Sequence, residues 1–363
     1  MNFLNGKKKR FRETWLAFLA MFLCAVLAGC GKADRTGLSG QGDEAENGKL
    51  KVVTTLFPYY DFTRQIAGDK VELSMIIPAG MDSHSFEPTP KDIRAMQNAD
   101  IVIANGGAME LWVDQVLDSL DTETMTVVTM MDHVDVVEEE IVEGMEDTDE
   151  EHHHVHAYEH DENGEDHDHG EEAEHDHDHE DESRYEIEYD EHIWTSPVNA
   201  MKMVRIIADT LMEADPQNSA SYEAAASAYL EKLEVLDAEF RSVREDAVHD
   251  IMIMGDKFPL RYFADAYDLR YRAAFSGCSS DTEPSAKTIA YLIDKVKEER
   301  LPVIYYLELS SHRVAEIIAE ETGAKPLLFH SCHNVTRREF EDGVTYLGLM
   351  EQNVKNLREG LCK

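Results

Sequence analysis

The apolar and polar positions after residue 50 follow two alternating periods. Short apolar and β-branched runs, such as KVVTTLFP at residues 51–58 and VELSMIIPAG at residues 71–80, predict strands. The stretches between these runs have the spacing of helices, and they begin near a proline or end at a glycine. Because strands that alternate with helices form parallel sheets through βαβ crossovers, we predict an α/β fold.

A second alternating region begins at residue 248 and ends in a predicted helix at residues 340–361. Between the two regions, apolar residues recur at helical spacing over residues 218–245. A helix of about 28 residues is roughly 40 Å long, which is enough to run between two lobes. We therefore expect two α/β lobes with parallel sheets, joined by one long rigid helix. The predicted segments are an N-terminal lobe at 50–200, a helical linker at 201–247 and a C-terminal lobe at 248–363.

Residues 138–182 interrupt the pattern of the N-terminal lobe. They hold 23 acidic residues, no Lys or Arg and little apolar surface to bury, so we predict a disordered insertion at 138–183. Neutral imidazole is a common zinc ligand and carboxylates concentrate cations, so we expect this insertion to collect metal ions at low affinity. A solvated charge run that binds no metal is the alternative. The ten histidines of the insertion are His152, His153, His154, His156, His160, His167, His169, His175, His177 and His179.

Residues 1–29 have the features of a bacterial export signal. A basic cluster precedes an apolar run at 15–30, which is shorter than the roughly 20 residues that a membrane-spanning helix needs. The end of this run, LAGC, resembles a lipobox, so we expect Cys30 to become the lipid-modified first residue and to anchor the protein to the cell membrane. An ordinary cleaved signal or an uncleaved anchor is the alternative. Residues 30–49, rich in Gly, Ser and charges, predict a flexible tether.

Five segments resemble one known family and occur in the family's order. They are GMDSHSFEPTP at 80–90, DEHIWTSP at 190–197, YFADAYDL at 262–269, TEPSAKTIAYLIDKVKEE at 282–299 and LELSSHRVAEIIAEETGA at 307–324. The family is that of the metal-specific (zinc/manganese cluster) solute-binding lipoproteins of bacterial ABC importers, and its zinc-type members have a similar His-rich loop. The resemblance implies two α/β lobes with a metal site in the interlobe cleft. It also implies docking to a membrane permease with an ATPase subunit, and we expect a monomer.

The resemblance implies two metal ligands directly, His84 in GMDSHSFEP and His192 in DEHIW. At the third position, where the family has His or Glu, this chain has Lys257, and a protonated lysine has no lone pair for a metal. Asp256 is expected to ligate instead if the loop is shifted by one residue, since carboxylate oxygen is an acceptable zinc ligand. Its pairing with Lys257 or Arg261 is the alternative.

The fourth position also departs from the family, because LLFHSCHN replaces a segment that carries Asp. His330 stands at that place and is expected to be a ligand, with a hydrogen-bonded cleft histidine as the alternative. His333, three residues further on, is expected to lie behind the ligands, with direct ligation as the alternative. Glu308 is expected there too, since a carboxylate can orient an imidazole N–H group.

Cys278 and Cys332 each follow a predicted strand of the C-terminal lobe, next to segments of the expected site. Because disulfides persist outside the cytoplasm, we predict a Cys278–Cys332 disulfide. Ligation of zinc by the Cys332 thiolate is the alternative. Cys362 is then unpaired.

Charge and chemistry narrow the function. A formal net charge of −40 excludes a general nucleic-acid binder. The sequence contains no P-loop, so the energy for transport must come from a partner. It also contains no HExxH motif, so we predict that the protein is not an enzyme. Three imidazoles with one carboxylate or water favour tetrahedral Zn²⁺ over Mn²⁺. We expect a lipoprotein that captures Zn²⁺ and delivers it to a permease; a manganese importer component and an extracellular metal buffer or adhesin-like protein are the alternatives.

Overall fold

The computed structural model describes residues 48–145, 189–279 and 283–363. The predicted signal peptide, Cys30 and the ten histidines of the insertion lie outside these ranges, as does nearly all of the predicted tether. The described residues form two lobes, each built on a four-stranded parallel sheet. The predicted α/β fold with two parallel sheets is therefore confirmed.

The N-terminal lobe contains four strands and three helices. They are β1 (Leu50–Thr54), α1 (Phe57–Ala67), β2 (Val71–Met75), α2 (Pro90–Gln97), β3 (Ile101–Ala104), α3 (Leu111–Leu117) and β4 (Thr126–Thr129). The strand order is β2-β1-β3-β4, and β3 is buried along its whole length. Pro90 begins α2, and Thr89 and Asp92 cap this helix reciprocally through their side chains.

Two helices connect the lobes, α4 (Pro197–Ala214) and α5 (Ser219–Asp246). The second has 28 residues and matches the predicted long helix to within one residue at each end. Its side chains Tyr222, Leu233 and Phe240 are completely buried. The largest cluster of buried apolar residues includes Val52 of the first sheet and Met254 of the second. The two lobes thus share one core, with α5 packed along it.

The C-terminal lobe contains four strands and five helices. They are β5 (Ile251–Phe258), α6 (Arg261–Ala266), β6 (Arg270–Ser276), α7 (Ala286–Glu299), β7 (Val303–Tyr306), α8 (Arg313–Thr322), β8 (Lys325–Leu328), α9 (Arg337–Glu341) and α10 (Tyr346–Leu361). The strand order is β6-β5-β7-β8, the same pattern of crossovers as in the first lobe.

Strand β5 has an irregularity between Met254 and Lys257 in its pairing with β6. Gly255 lies within it, and a Cβ atom there would be 2.7 Å from the backbone nitrogen of Ala315 in α8. Only glycine therefore allows the helix to approach the strand so closely. A bulge of this kind re-aims side chains at the end of a strand, and it brings Asp256 and Lys257 to the cleft between the lobes.

The first part of the predicted insertion has defined contacts. A carboxylate oxygen of Glu139 accepts a hydrogen bond from the Cys278 backbone N–H (3.0 Å), and Glu140 accepts one from the Tyr271 hydroxyl (2.9 Å). Glu138 pairs with Tyr189 in an isolated antiparallel bridge. Residues 138–145 thus belong with the folded lobes, and the predicted start of the insertion at residue 138 is too early. Within the described ranges, no helix has the length and apolar character needed to span a membrane.

The packing of α5 predicts a large difference between two substitutions in that helix. Phe240 is 0% exposed, whereas Val235 is 60% exposed. We expect Phe240→Ala to lower the free energy of unfolding by about 3–5 kcal/mol, and Val235→Ala to change it by less than about 0.5 kcal/mol. Equilibrium denaturation with guanidinium measures both, and equal effects would show that α5 is not the core element described here.

Candidate metal centre

Three imidazole rings meet in the cleft between the lobes. The ring centroids of His84 and His192 are 6.1 Å apart, those of His84 and His333 5.9 Å, and those of His192 and His333 5.6 Å. With zinc–nitrogen bonds of 2.0–2.1 Å, the centroids of three tetrahedral imidazole ligands lie about 5 Å apart. The distances between the three ring centroids are therefore slightly longer than those between three imidazole ligands of one zinc ion.

His84 lies in a 3-10 turn, Ser83–Ser85, that follows β2. The Asp82 side chain caps this turn by accepting a hydrogen bond from the His84 backbone N–H at 3.0 Å. Burial, together with the nearby His192 and Lys257 charges, lowers the pKa of His84 to about 4. The ring is therefore neutral at physiological pH, which is the form that binds a metal.

His192 lies in the loop before α4 and is 1% exposed. Its Nδ1 atom is 3.2 Å from Oδ1 of Asp190, an oxygen that also accepts the His192 backbone N–H at 2.8 Å. When Nδ1 donates to this carboxylate, Nε2 keeps the lone pair and faces a metal. Burial alone would lower the pKa of His192, but Asp190 and the neighbouring carboxylates raise it above the usual value.

His333 reaches the cluster from the other lobe, after β8. Burial and the two neighbouring imidazoles hold its pKa well below the usual range. Its Nε2 atom is 2.6 Å from the Ser83 hydroxyl, next to His84 in the chain. Trp194, whose ring centroid is 5.1 Å from that of His333, forms one side of the cluster. His333 was expected to lie behind the ligands, but the structure brings it into contact with the other two histidines.

His330 has a different environment. It is 2% exposed, and its Nδ1 atom accepts a hydrogen bond from the Cys332 backbone N–H at 2.9 Å. Asn353 of α10 binds both its backbone N–H and its carbonyl oxygen at 2.8 Å. Among the described residues, no ring contact joins His330 to His84 or His192. The structure therefore does not bring His330 together with the other two predicted ligands.

The predicted carboxylates hold the loops of the cleft together. Asp256 accepts hydrogen bonds from the Lys257 backbone N–H at 2.9 Å and the Leu307 backbone N–H at 3.4 Å, and burial raises its pKa. Glu308 accepts bonds from both the backbone N–H and the hydroxyl of Ser331. The Ser331 hydroxyl in turn accepts the His333 backbone N–H at 3.2 Å. Glu308 thus supports His333 through Ser331, and its Oε1 atom also lies 3.6 Å from Nδ1 of the His330 imidazole.

The predicted disulfide is absent from the described residues, where Cys278, Cys332 and Cys362 are free thiols. The Cys278 backbone is bound to Glu139 at the edge of the C-terminal lobe. Cys332, by contrast, is completely buried, with its sulfur 3.9 Å from the His330 carbonyl oxygen. The two side chains therefore face different surroundings, and burial raises the pKa of both thiols. A raised pKa also disfavours the thiolate that ligation by Cys332 would need.

Two buried carboxylates, which the sequence analysis did not identify, support the loop of His192. Glu191 accepts hydrogen bonds from the backbone N–H groups of Ala108 and Met109. A Cβ atom at Gly107, where φ is 83°, would lie 2.5 Å from a Glu191 oxygen, so the turn requires glycine. Glu110, whose pKa burial raises to about 7, accepts hydrogen bonds from the backbone N–H groups of Asn105 and Gly106, at the start of the same turn. The available signal was the sequence NGGAME directly after a predicted strand.

As the side chains stand, no three His, Cys, Asp or Glu residues within the described ranges are arranged to hold a metal ion together. Two features account for this. The three ring centroids are wider apart than three ligands of one zinc ion would be, and Nε2 of His333 is hydrogen-bonded to Ser83. Small ring movements and the loss of that hydrogen bond would bring the three nitrogens to one point.

The two lobes, the long connecting helix and the cleft between them define a solute-binding protein of the metal-specific cluster. The chain belongs to the ZnuA family, zinc-uptake complex component A, periplasmic, whose family model matches residues 52–360. The predicted family is thus confirmed.

Two relatives that are similar in sequence agree with this assignment. The chain is 33% identical over 350 residues to the high-affinity zinc uptake system protein ZnuA of Bacillus subtilis (strain 168), covering 96% of this chain and 98% of that protein. It is also 33% identical over 314 residues to the zinc-binding lipoprotein AdcA of Streptococcus pneumoniae, covering 86% of this chain but 56% of AdcA, so it spans about half the length of that relative.

Two solved structures are similar to this chain. One is the metal-dependent lipoprotein YcdH of B. subtilis, with a TM-score of 0.66 and 30% identity, covering 87% of this chain and 100% of that chain. The other is the Zn(II)-bound ZnuA-like domain of S. pneumoniae AdcA, with a TM-score of 0.65 and 28% identity, covering 87% of this chain and 100% of that domain.

The environments of the histidines predict separate titrations in the absence of metal. We expect His84 to titrate with a midpoint near 4, and His192 with a midpoint above the usual value of a histidine, because carboxylates stabilise only the protonated form of His192. Proton NMR of the imidazole C–H signals measures both midpoints. In Asp190→Asn the midpoint of His192 should fall, since a charge and a hydrogen-bond acceptor are removed. An unchanged His192 midpoint in this variant would contradict the assigned role of Asp190.

Proposed function

We propose that this chain is the extracytoplasmic zinc-binding component of an ABC-type importer. It captures Zn²⁺ in the cleft between its lobes and presents the ion to a membrane permease. The observation that supports this function most is that the imidazole rings of His84, His192 and His333 lie close together, with all ring centroids within 6.1 Å of one another. The three residues come from loops of both lobes. These three histidines are the proposed ligands, and His330 is proposed as a structural residue that orders their loop.

The proposed ligand set favours zinc over manganese. Three imidazole nitrogens with one open position suit tetrahedral Zn²⁺, whereas Mn²⁺ prefers an octahedral shell of oxygens. Two of the carboxylates that line the cleft, Asp256 and Glu308, have oxygens that already accept hydrogen bonds from backbone N–H groups, which makes them poorer ligands for manganese. Low pKa values at His84 and His333 add to this preference, since both rings keep their lone pairs at neutral pH.

The partners and location follow from the same proposal. A permease with its ATPase subunit would receive the ion, since the sequence contains no P-loop of its own. Lipid attachment at Cys30 would hold a monomer at the outer face of the cell membrane, and the His-rich insertion would collect zinc at low affinity for the cleft. The antiparallel pairing of Glu138 with Tyr189 supports this last role, because it fixes one end of the insertion three residues before His192.

The proposal predicts a contrast between two neighbouring histidines. In a signal-free protein whose residues 147–186 are replaced by a short Gly-Ser linker, we expect one tightly bound zinc ion that manganese does not displace. His333→Asn should weaken this binding by about a hundredfold or more, because one of three protein ligands is lost. His330→Asn is the matched control, since its side-chain oxygen can still accept the Cys332 N–H bond. Competition against a chromophoric chelator measures each affinity.

The reverse result, with zinc binding lost in His330→Asn and kept in His333→Asn, would contradict the proposed ligand set. The absence of any tight zinc ion in the shortened protein would contradict the cleft as the working site. In that case the acidic, His-rich insertion would be the functional part, as in an extracellular metal buffer.

A further inference from the structure

Lys257 is an unpaired cation in the cleft that holds the three imidazoles. It lies in the bulge of β5 and, with His84, His192 and His333, lines a cavity of about 460 Å³. Its side chain is partly buried, yet no carboxylate of the described residues forms an ion pair with it. In a chain with a net charge of −40, a lysine without an acidic partner in such a place is unexpected.

The carboxylates that line the cavity with Lys257 are Asp82, Asp256, Glu283 and Glu308. Glu283 is exposed to solvent, and the other three have hydrogen-bond partners of their own. Asp256, adjacent to the lysine, binds the Lys257 and Leu307 backbone N–H groups. Glu308 is bound twice by Ser331. Asp82 is bound by the His84 backbone N–H group across the cleft. Arg313 also lines the cavity and likewise has no ion pair among the described residues. The cleft therefore has two cations available to a ligand.

A zinc ion in this cleft would add to the positive charge. Three neutral imidazoles leave the ion with its full double charge, and Lys257 lines the same cavity as the three rings. Partly buried like charges repel strongly, because little water screens them. Lys257 cannot relieve this by ligating, since its protonated amine has no lone pair. An anion that enters with the metal would offset this repulsion.

The cavity has room for that anion. Its volume of about 460 Å³ is many times the roughly 30 Å³ that one water molecule occupies. Zinc accepts carboxylate oxygen at 2.0–2.2 Å, and an ammonium group forms short, strong hydrogen bonds to the other oxygen of the same carboxylate. One small carboxylate can therefore contact the metal and Lys257 at once.

We propose that the cleft takes up zinc together with a small carboxylate anion, one oxygen of which fills the fourth zinc position while the other binds Lys257. This inference rests on the proposed zinc site and assigns it a substrate class, a zinc–carboxylate complex. Lys257 is then the residue that determines specificity for the anion. The position that a protein ligand could occupy in the bulge of β5 is left to the incoming anion.

Cobalt(II) in place of zinc tests this directly, because its visible d–d absorption reports on the ligands of the metal. The shortened protein is loaded with one equivalent of Co²⁺ in a perchlorate buffer and titrated with sodium acetate. We expect a saturable change of the spectrum, and an increase of about tenfold in zinc affinity at saturating acetate when a chelator holds free zinc constant. Lys257→Met should lose both responses, and Lys257→Arg should keep them.

Lys355→Met is the control, since Lys355 is an exposed lysine of α10 outside the cleft, and it should behave as the native protein does. A native spectrum and zinc affinity that acetate leaves unchanged would overturn the proposal, as would an undiminished acetate response in Lys257→Met. These outcomes are distinct from failure of the zinc site itself. That failure would appear as no tightly bound Co²⁺ or Zn²⁺ before any acetate is added.

Discussion

The loop that follows β8 is tied to the opposite lobe, and the geometry of the cleft depends on that connection. The Asn334 side chain donates hydrogen bonds of 2.8 Å to the carbonyl oxygens of Pro78 and Met81, in the loop that leads to His84. The Trp194 indole donates to the carbonyl oxygen of Ser331 at 2.9 Å. Both anchors are buried or nearly so, where hydrogen bonds hold groups most firmly. The histidines of the two lobes are therefore positioned as one unit, and the proposed capture of zinc would require only small ring movements.

The surroundings of each imidazole determine its protonation state at this site. Removing an imidazole from water disfavours its charged form, so the partly buried His84 and His333 stay neutral and keep the lone pairs that a metal needs. His192 differs because Asp190 stabilises its protonated form and also fixes which ring nitrogen faces the cleft. Lys257 is partly buried in the same cleft and has no ion pair among the described residues, and the proposed anion would supply its missing partner.

Periodicity and motif order were enough to predict both sheets, the helix α5 and the approach of His84 to His192. They could not place the His333 ring beside those of His84 and His192, because its direction depends on Cys332, which has a left-handed backbone (φ 61°) that turns the chain after His330. The position of Asp256 depends on a bulge whose cause, the contact of Gly255 with α8, joins residues far apart in the chain. The prediction of a Cys278–Cys332 disulfide was wrong for a similar reason. The position of a cysteine after a strand does not tell which way its side chain points.

The most direct test of this account is the location of the metal in a crystal of the shortened protein grown with zinc. An anomalous difference map at the zinc absorption edge should show a peak about 2 Å from one ring nitrogen of each of His84, His192 and His333, with His330 still bound to the Cys332 backbone. A peak on His330, or none in the cleft while the protein binds zinc elsewhere, would contradict it.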